Sequence, residues 1–204
     1  MTNPDKTIWN CGTTNLRLER RGDNALRGRA TWRVLVLVCL CLFPVISTGQ
    51  AKDEYAVKAA FVFNLTKYVE WPSSNSKEII VGFIGEGPMG TTLHQVLSGK
   101  ATGSKTVRVI VEPSKEELQR CNILYVSYSS LQKIRSVFER IPSKNVLTVG
   151  DSPLFTKWGG VVGLITTGDH VQIQINPAAA EAAQLKISSR LLSLAALVSQ
   201  APAR

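Results

Sequence analysis

Gly85-Glu86-Gly87-Pro88-Met89-Gly90 follows the spacing G-x-G-x-x-G, directly after a β-branched run and at the opening of a helical pattern. In that setting glycines let backbone N–H groups approach a pyrophosphate, and a helix N-terminus favours its negative charge. Glu112 closes the next strand pattern, about where an acid would meet a ribose hydroxyl. Pro88 removes one N–H donor, and Glu86 sets a like charge beside the phosphates, so the segment reads first as a glycine turn. His94 and His170 have no i, i+4 partner and no nearby Cys, which favours two surface side chains over a zinc site. No serine sits in a G-x-S-x-G elbow. Asp151 ends a strand, where catalytic acids often lie, yet Ser152-Pro153 behind it favours helix capping. Nucleophile, base and oxyanion donor do not assemble. The expectation is a protein with no enzymatic activity, no metal and no cofactor.

The elements that carry these residues alternate. Ala51–Val69 reads as a helix, with Val57, Phe61, Asn64/Leu65 and Tyr68 at three- and four-residue spacing and Lys58 off that stripe. Trp71-Pro72 stops it. Strands follow at 78–84, 106–112, 122–126 and 146–149, with helical segments near 88–97, 115–120 and 131–140 between them. Val161–Thr166 and Val171–Asn176 are joined by so short a link that they should pair antiparallel. Asn176-Pro177 opens an expected long helix to about Gln200. The fold class is α/β: a three-layer α/β/α sandwich with a mixed, mostly parallel sheet and long N- and C-terminal helices. Residues 51–204 contain no linker that would split them and are expected to form a single domain.

Charge is unevenly spread over the 204 residues, which hold 24 Lys and Arg against 15 Asp and Glu. Residues 1–50 carry seven of the basic and three of the acidic residues, and the remainder is only modestly basic. Later Lys and Arg are scattered among acids without an aromatic-lined cluster, which speaks against nucleic acid as a partner.

Arg27, Arg29 and Arg33 precede an uncharged run, Val34–Ile46, followed by small and polar residues. These are the parts of a secretory signal, and the run is short for a bilayer span of roughly 20 residues, which leaves an uncleaved anchor as the alternative. Cleavage after Gly49 or after Ala51 both suit the small-residue preference. Residues 1–50 therefore read as a polar extension plus signal peptide, with a periplasmic mature chain. Arg20-Arg21 lacks the apolar follow-on of a twin-arginine signal. Cys11, Cys39 and Cys41 would leave with that segment, so the mature chain keeps Cys121 alone and unpaired. It reads as a small buried hydrophobe before a reactive thiol.

Tyr55–Pro72 (YAVKAAFVFNLTKYVEWP) resembles the opening K-A-A-F-L-Y-N-F-A-K-F-V-E-W-P of the YfiR family. Further likenesses keep their order: Gly85–Gly90 with G-x-x-P-F-G, Cys121–Ser127 with C-H-I-L-F-I-S, and Val146–Asp151 with Phe155 and Gly159-Gly160 with V-L-T-V-S-D…F…G-G. The closing I-N…A-A…S-S-K-L-L is matched by Ile175-Asn176, Ala179-Ala180 and Ser188–Leu192. The resemblance implies a periplasmic, often dimeric α/β protein without catalytic activity. Such a protein represses an inner-membrane diguanylate cyclase through its periplasmic sensor region, and an outer-membrane lipoprotein draws the repressor away. Cyclic-di-GMP, biofilm formation and motility are the readouts. Many members carry a Cys in the strand before the G-x-x-P-F-G turn, able to pair with the Cys of C-H-I-L. Gly82 stands there in this chain, which puts redox control in doubt.

A docking protein needs an exposed apolar or aromatic patch. Phe61, Phe63, Asn64, Lys67 and Trp71 are candidates for it, with core packing as the alternative for the aromatics. Phe61 and Phe63 lie roughly 200° apart on a helical wheel, so one face cannot hide both. Gly85, Gly87, Asp151, Phe155, Gly159 and Gly160 complete the candidate partner- or ligand-binding set. The alternative function is a periplasmic small-ligand-binding module, for a nucleotide or amino acid, acting with a different membrane sensor such as a histidine kinase. An exported nucleotide enzyme is a third reading.

Overall fold

A computed structural model describes residues 49–72, 76–142 and 144–199. The polar extension, the signal run and Cys11, Cys39 and Cys41 lie outside the described residues. Helix α1 (Gly49–Tyr68) leads into a short strand β1 (Val69–Glu70). The sheet is then built by β2 (Glu78–Gly85), helix α2 (Met89–Leu97), β3 (Ala101–Thr102) and β4 (Lys105–Val111). Helix α3 (Lys115–Leu118), β5 (Ile123–Ser127), helix α4 (Leu131–Phe138) and β6 (Leu147–Gly150) continue it. After a series of turns come β7 (Val162–Thr167) and β8 (His170–Ile175). The chain closes with α5 (Pro177–Ala182), β9 (Lys186–Ile187), α6 (Ser189–Leu192) and β10 (Ala196–Leu197).

The large sheet runs β10-β8-β7-β6-β5-β2-β4-β3. The centre is parallel, β2 pairing with both β4 and β5, β5 with β6, and β6 with β7. β8 is antiparallel to β7, as the short link requires, and β3 is antiparallel to β4. Buried parallel strands need apolar residues on both faces, and β5 shows why. Its Ile123 and Tyr125 join one core with Val62 and Leu65 of α1 and Leu93 and Leu97 of α2. Its Leu124 and Val126 join the other, with Leu118 of α3 and Ile134 and Val137 of α4. Helices therefore cover both faces of a mixed, mostly parallel sheet, an α/β sandwich of three layers. The six strands read from the sequence start and stop within a residue of their predicted limits, whereas the two-residue strands β1, β3, β9 and β10 were not anticipated.

Two expectations need correction. The C-terminal segment is not one long helix: α5 ends at Ala182, and Gln184 takes φ 57°, a left-handed turn that no α-helix contains. The chain then reverses so that β9 can pair antiparallel with β1, Val69 opposite Ile187 and Glu70 opposite Lys186. Alanine-rich local propensity favours helix here, but a pairing with a strand more than a hundred residues earlier overrides it.

The second correction concerns the rotation of α1. The expected stripe is not buried as a whole: Leu65 is buried and Phe61 and Tyr68 are half-buried against the core, but Val57 is 44% exposed and Asn64 is exposed. The inward positions are Lys58, Ala59, Val62, Leu65, Thr66 and Val69. Apolar residues surround this helix almost completely, so periodicity alone leaves its rotation open. A polar anchor accompanies the observed rotation. Lys58, 4% exposed, lies 2.6 Å from the carboxylate of Glu54, which also accepts a hydrogen bond from the Thr166 hydroxyl on β7.

Candidate functional site

The expected site residues fall into three places. The first is the outward side and exit of α1. Asn64 and Lys67 are exposed, and Phe61 and Phe63 are half-buried, each resting partly on the core. The sequence expectation that one helical face cannot hide both rings fits this arrangement, in which neither ring is fully covered. Lys67 Nζ lies 4.8 Å from the centre of the Phe63 ring, and Lys100 Nζ lies 5.2 Å from it. Trp71 is half-buried, and its indole N–H donates to the Asn122 carbonyl at 3.1 Å, fixing the turn after the helix. Thr66 ties the helix to the β3–β4 hairpin, its hydroxyl bonding the Phe63 carbonyl at 2.6 Å and meeting the Thr102 hydroxyl at 3.2 Å. A groove of about 640 Å3 lies between these elements, lined by Thr66, Lys67, Trp71, Thr102, Ser104 and Lys105 among others.

The second place is the carboxyl end of the parallel strands, at the switch point where the chain leaves β2 toward β4 and later crosses to β5. Gly85 and Gly87 of the G-x-G-x-x-G segment lie here, and Asp151 is joined to them through Ser127. Gly85 is paired with Ser127, and the Glu86 N–H donates to the Ser127 carbonyl at 3.1 Å. A Cβ on Gly85 would fall 2.5 Å from that same carbonyl oxygen. Asp151 does not cap a helix; turns follow it. Its carboxylate instead accepts from the Ser127 hydroxyl at 2.9 Å and the Tyr125 phenol at 3.3 Å. Burial, then the Asp151 charge, push that phenol well above its ordinary pKa.

The same geometry bears on the dinucleotide reading. The Gly85 N–H donates to Glu112 Oε1 at 3.0 Å and the Glu86 N–H is taken by Ser127, while Pro88 has none to give. The acid that would meet a ribose is thus already spent on the loop, and Glu112 holds φ 51° in doing so. Glu86 pairs with Lys133 at the opening of α4.

The third place is structural. Phe155 is fully buried, and a Cβ on Gly160 would stand 2.1 Å from its ring, one on Gly150 2.5 Å. Only glycines leave room for this ring between the end of β6 and the turn into β7. Phe155 therefore has no surface to offer a partner. Gly159, beside it, lines a cavity of about 370 Å3 with Phe138, Ile141, Val146, Trp158 and Ala179.

Cys121 is buried and free, and its thiol donates to the Glu117 carbonyl at 3.4 Å. Burial, then the Glu117 charge, push its pKa up to about 11. His94 is exposed on α2, and exposed His170 pairs with Asp169 at 2.9 Å. The Lys58–Glu54–Thr166 anchor, in which Lys58 is the buried member, escaped sequence reasoning; a Glu four residues before a Lys was its only local sign. Among the described residues no cluster of His, Cys, Asp and Glu is arranged to hold a metal ion, and no helix is long and apolar enough to cross a membrane.

Comparison with known proteins agrees with this architecture. A family model described as YfiR/HmsC-like matches residues 55–196, from the first helix to the last strand. No curated protein matches the chain.

Proposed function

The chain belongs to the YfiR/HmsC-like family, and from that premise we propose that it binds the sensor region of an inner-membrane diguanylate cyclase and represses it, lowering cyclic-di-GMP. Proteins of this family are periplasmic regulators of diguanylate cyclase systems, regulatory in kind and not catalytic. The family match over residues 55–196 carries the proposal. The outward stripe of α1 supports it, because Val57, Phe61 and Tyr68 leave apolar surface uncovered beside Asn64 and Lys67. The reading includes export by a signal peptide cut near Gly49 to Ala51, and a homodimer. An outer-membrane lipoprotein that competes for the repressor completes it.

Deletion of the gene, with cyclic-di-GMP and surface attachment measured, tests this directly. Both should rise and return on complementation with the full chain. Unchanged levels in a strain that expresses the cyclase would overturn cyclase control.

The cavity beside Gly159 favours a second reading, a small-ligand-binding module. Its size lies within the range of small-molecule pockets, and its lining is rich in Ala, Trp158 and Phe138. Calorimetry against nucleotides and amino acids distinguishes the two, since saturable binding lost on Trp158→Ala would favour the ligand.

A further inference from the structure

From the two ammonium groups on the Phe63 ring we infer that the surface they form, together with the adjoining groove that Lys67 also lines between α1 and the β3–β4 hairpin, is a docking surface for an acidic segment of a partner protein. Lys67 approaches Phe63 from the last turn of α1, and Lys100 approaches it from the loop before β3. The two cations can be no farther apart than the sum of their distances to the ring centre. Both lysines are exposed, and among the described residues neither has a carboxylate partner. Like charges gathered in this way repel, and the ring's negative face compensates only in part. An acidic segment would bring carboxylates to both.

The shape selects a polypeptide over a flat surface. The groove is concave, about 640 Å3, walled by α1 on one side and by the hairpin on the other. A planar bilayer would touch only the lysine tips. An extended chain can lie along the groove, against Trp71 and the hydroxyls of Thr66, Thr102 and Ser104. β3 is the last strand of the large sheet, so backbone groups on its outer edge face the same neighbourhood. Glu70 is an acid in the lining, and Lys186 is its register partner in the β1–β9 pair. The outward stripe of α1 continues from Phe61 and Asn64 toward Lys67, which joins this groove to the apolar surface above.

The inference deepens the repressor reading by giving the partner's contact segment a chemistry, yet its test does not need a cyclase. The full chain would be titrated with hexaglutamate, hexalysine and phosphatidylglycerol vesicles while the Phe63 ring and the Lys67 and Lys100 side chains are followed by NMR. Hexaglutamate should shift those signals saturably, and raising salt should weaken it. Lys67→Glu with Lys100→Glu should weaken binding at least fivefold, and the paired Lys→Arg variant should retain it. All four are exposed-site changes, and an unchanged melting temperature confirms the fold. Binding that ignores charge reversal, no binding at all, or binding to vesicles in place of the peptide would overturn the inference. In cells, a deletion that raises cyclic-di-GMP and is fully complemented by the double Glu variant would overturn the groove alone. A deletion without effect would overturn cyclase control and leave the peptide result standing.

Discussion

Gly82 on β2 and Cys121 at the head of β5 are so placed that a Cβ on residue 82 would stand 2.8 Å from the Cys121 sulfur. That is close to the separation a disulfide spans from one Cβ to the far sulfur, about 3 Å for an S–S bond of ~2.05 Å. The adjacency inferred from resemblance, a Cys before the glycine turn facing the Cys of the next motif, is therefore physically present. Only the second sulfur is missing.

Gly82→Cys should restore it. In the chain freed of residues 1–50, which would then hold only these two thiols, air oxidation is expected to remove two hydrogens by intact mass and to end reaction with thiol reagents when denatured. Closing a loop of about 40 residues should add roughly 2–4 kcal/mol, less whatever Leu124 and Pro113 yield to make room. Gly82→Ser, which crowds the same site without a bond, should instead destabilise.

Cys121 itself should be inert. With its pKa near 11 and its sulfur buried, iodoacetamide at pH 7.5 is expected to label the native protein far more slowly than the urea-denatured one. The sign of the coupling follows. A raised native pKa means the protonated thiol is favoured by folding, so its contribution is full below pH 9 and fades between pH 9 and 11. Cys121→Ala should flatten that alkaline loss in a series of urea titrations.

The anchor under α1 gives the opposite dependence. Hydrogen bonding to Lys58, then to Thr166, lowers the Glu54 carboxyl below its ordinary 4.5. Stability from this group is present above pH 4.5 and lost as pH falls through the lower native value. Glu54→Ala leaves Lys58 buried without its counter-ion, a change that costs about 3–5 kcal/mol for fully buried pairs and less here, where Glu54 keeps partial exposure. Lys58→Met with Glu54→Gln should recover most of the loss. Equal destabilisation of the single and double variants would contradict a buried-charge account.

Phe155 and Gly160 should behave as one unit. Phe155→Ala is expected to cost about 3–5 kcal/mol through the cavity it leaves. Gly160→Ala should also destabilise, because its methyl would occupy the ring's position. Together the two should cost less than the sum of the separate losses, a coupling that thermal melts of the four proteins would reveal.

Much of this molecule was legible in its residues, and the misreadings share a cause. Central strands announced themselves because a sheet buried on both faces demands uncharged, largely apolar runs rich in β-branched residues, such as Ile79–Ile84. Asp151 was legible as a strand-end residue. Its partners Tyr125 and Ser127 were not, since nothing local signals a neighbour one strand away. The rotation of α1 was hidden by apolar residues on both sides of the helix, and Lys58 read as solvated because its burial depends on Glu54 and a threonine over a hundred residues later. The same distance explains the C-terminal helix that does not form. Of the candidate surface, Phe63 and Lys67 could be read from the helix, but Lys100 could be added only once the loop before β3 was folded against it.

The small β1–β9 pair has a bearing on how the molecule comes to exist. Tyr68 and Val69 at the exit of the first helix are held by Ser188 and Ile187, almost at the other end of the chain. A polypeptide threaded through a translocation channel amino end first would keep its leading helix unlatched until nearly the whole length had emerged. If the chain is exported in that way, this pairing would discourage closure on the near side and delay the finished shape until passage is complete.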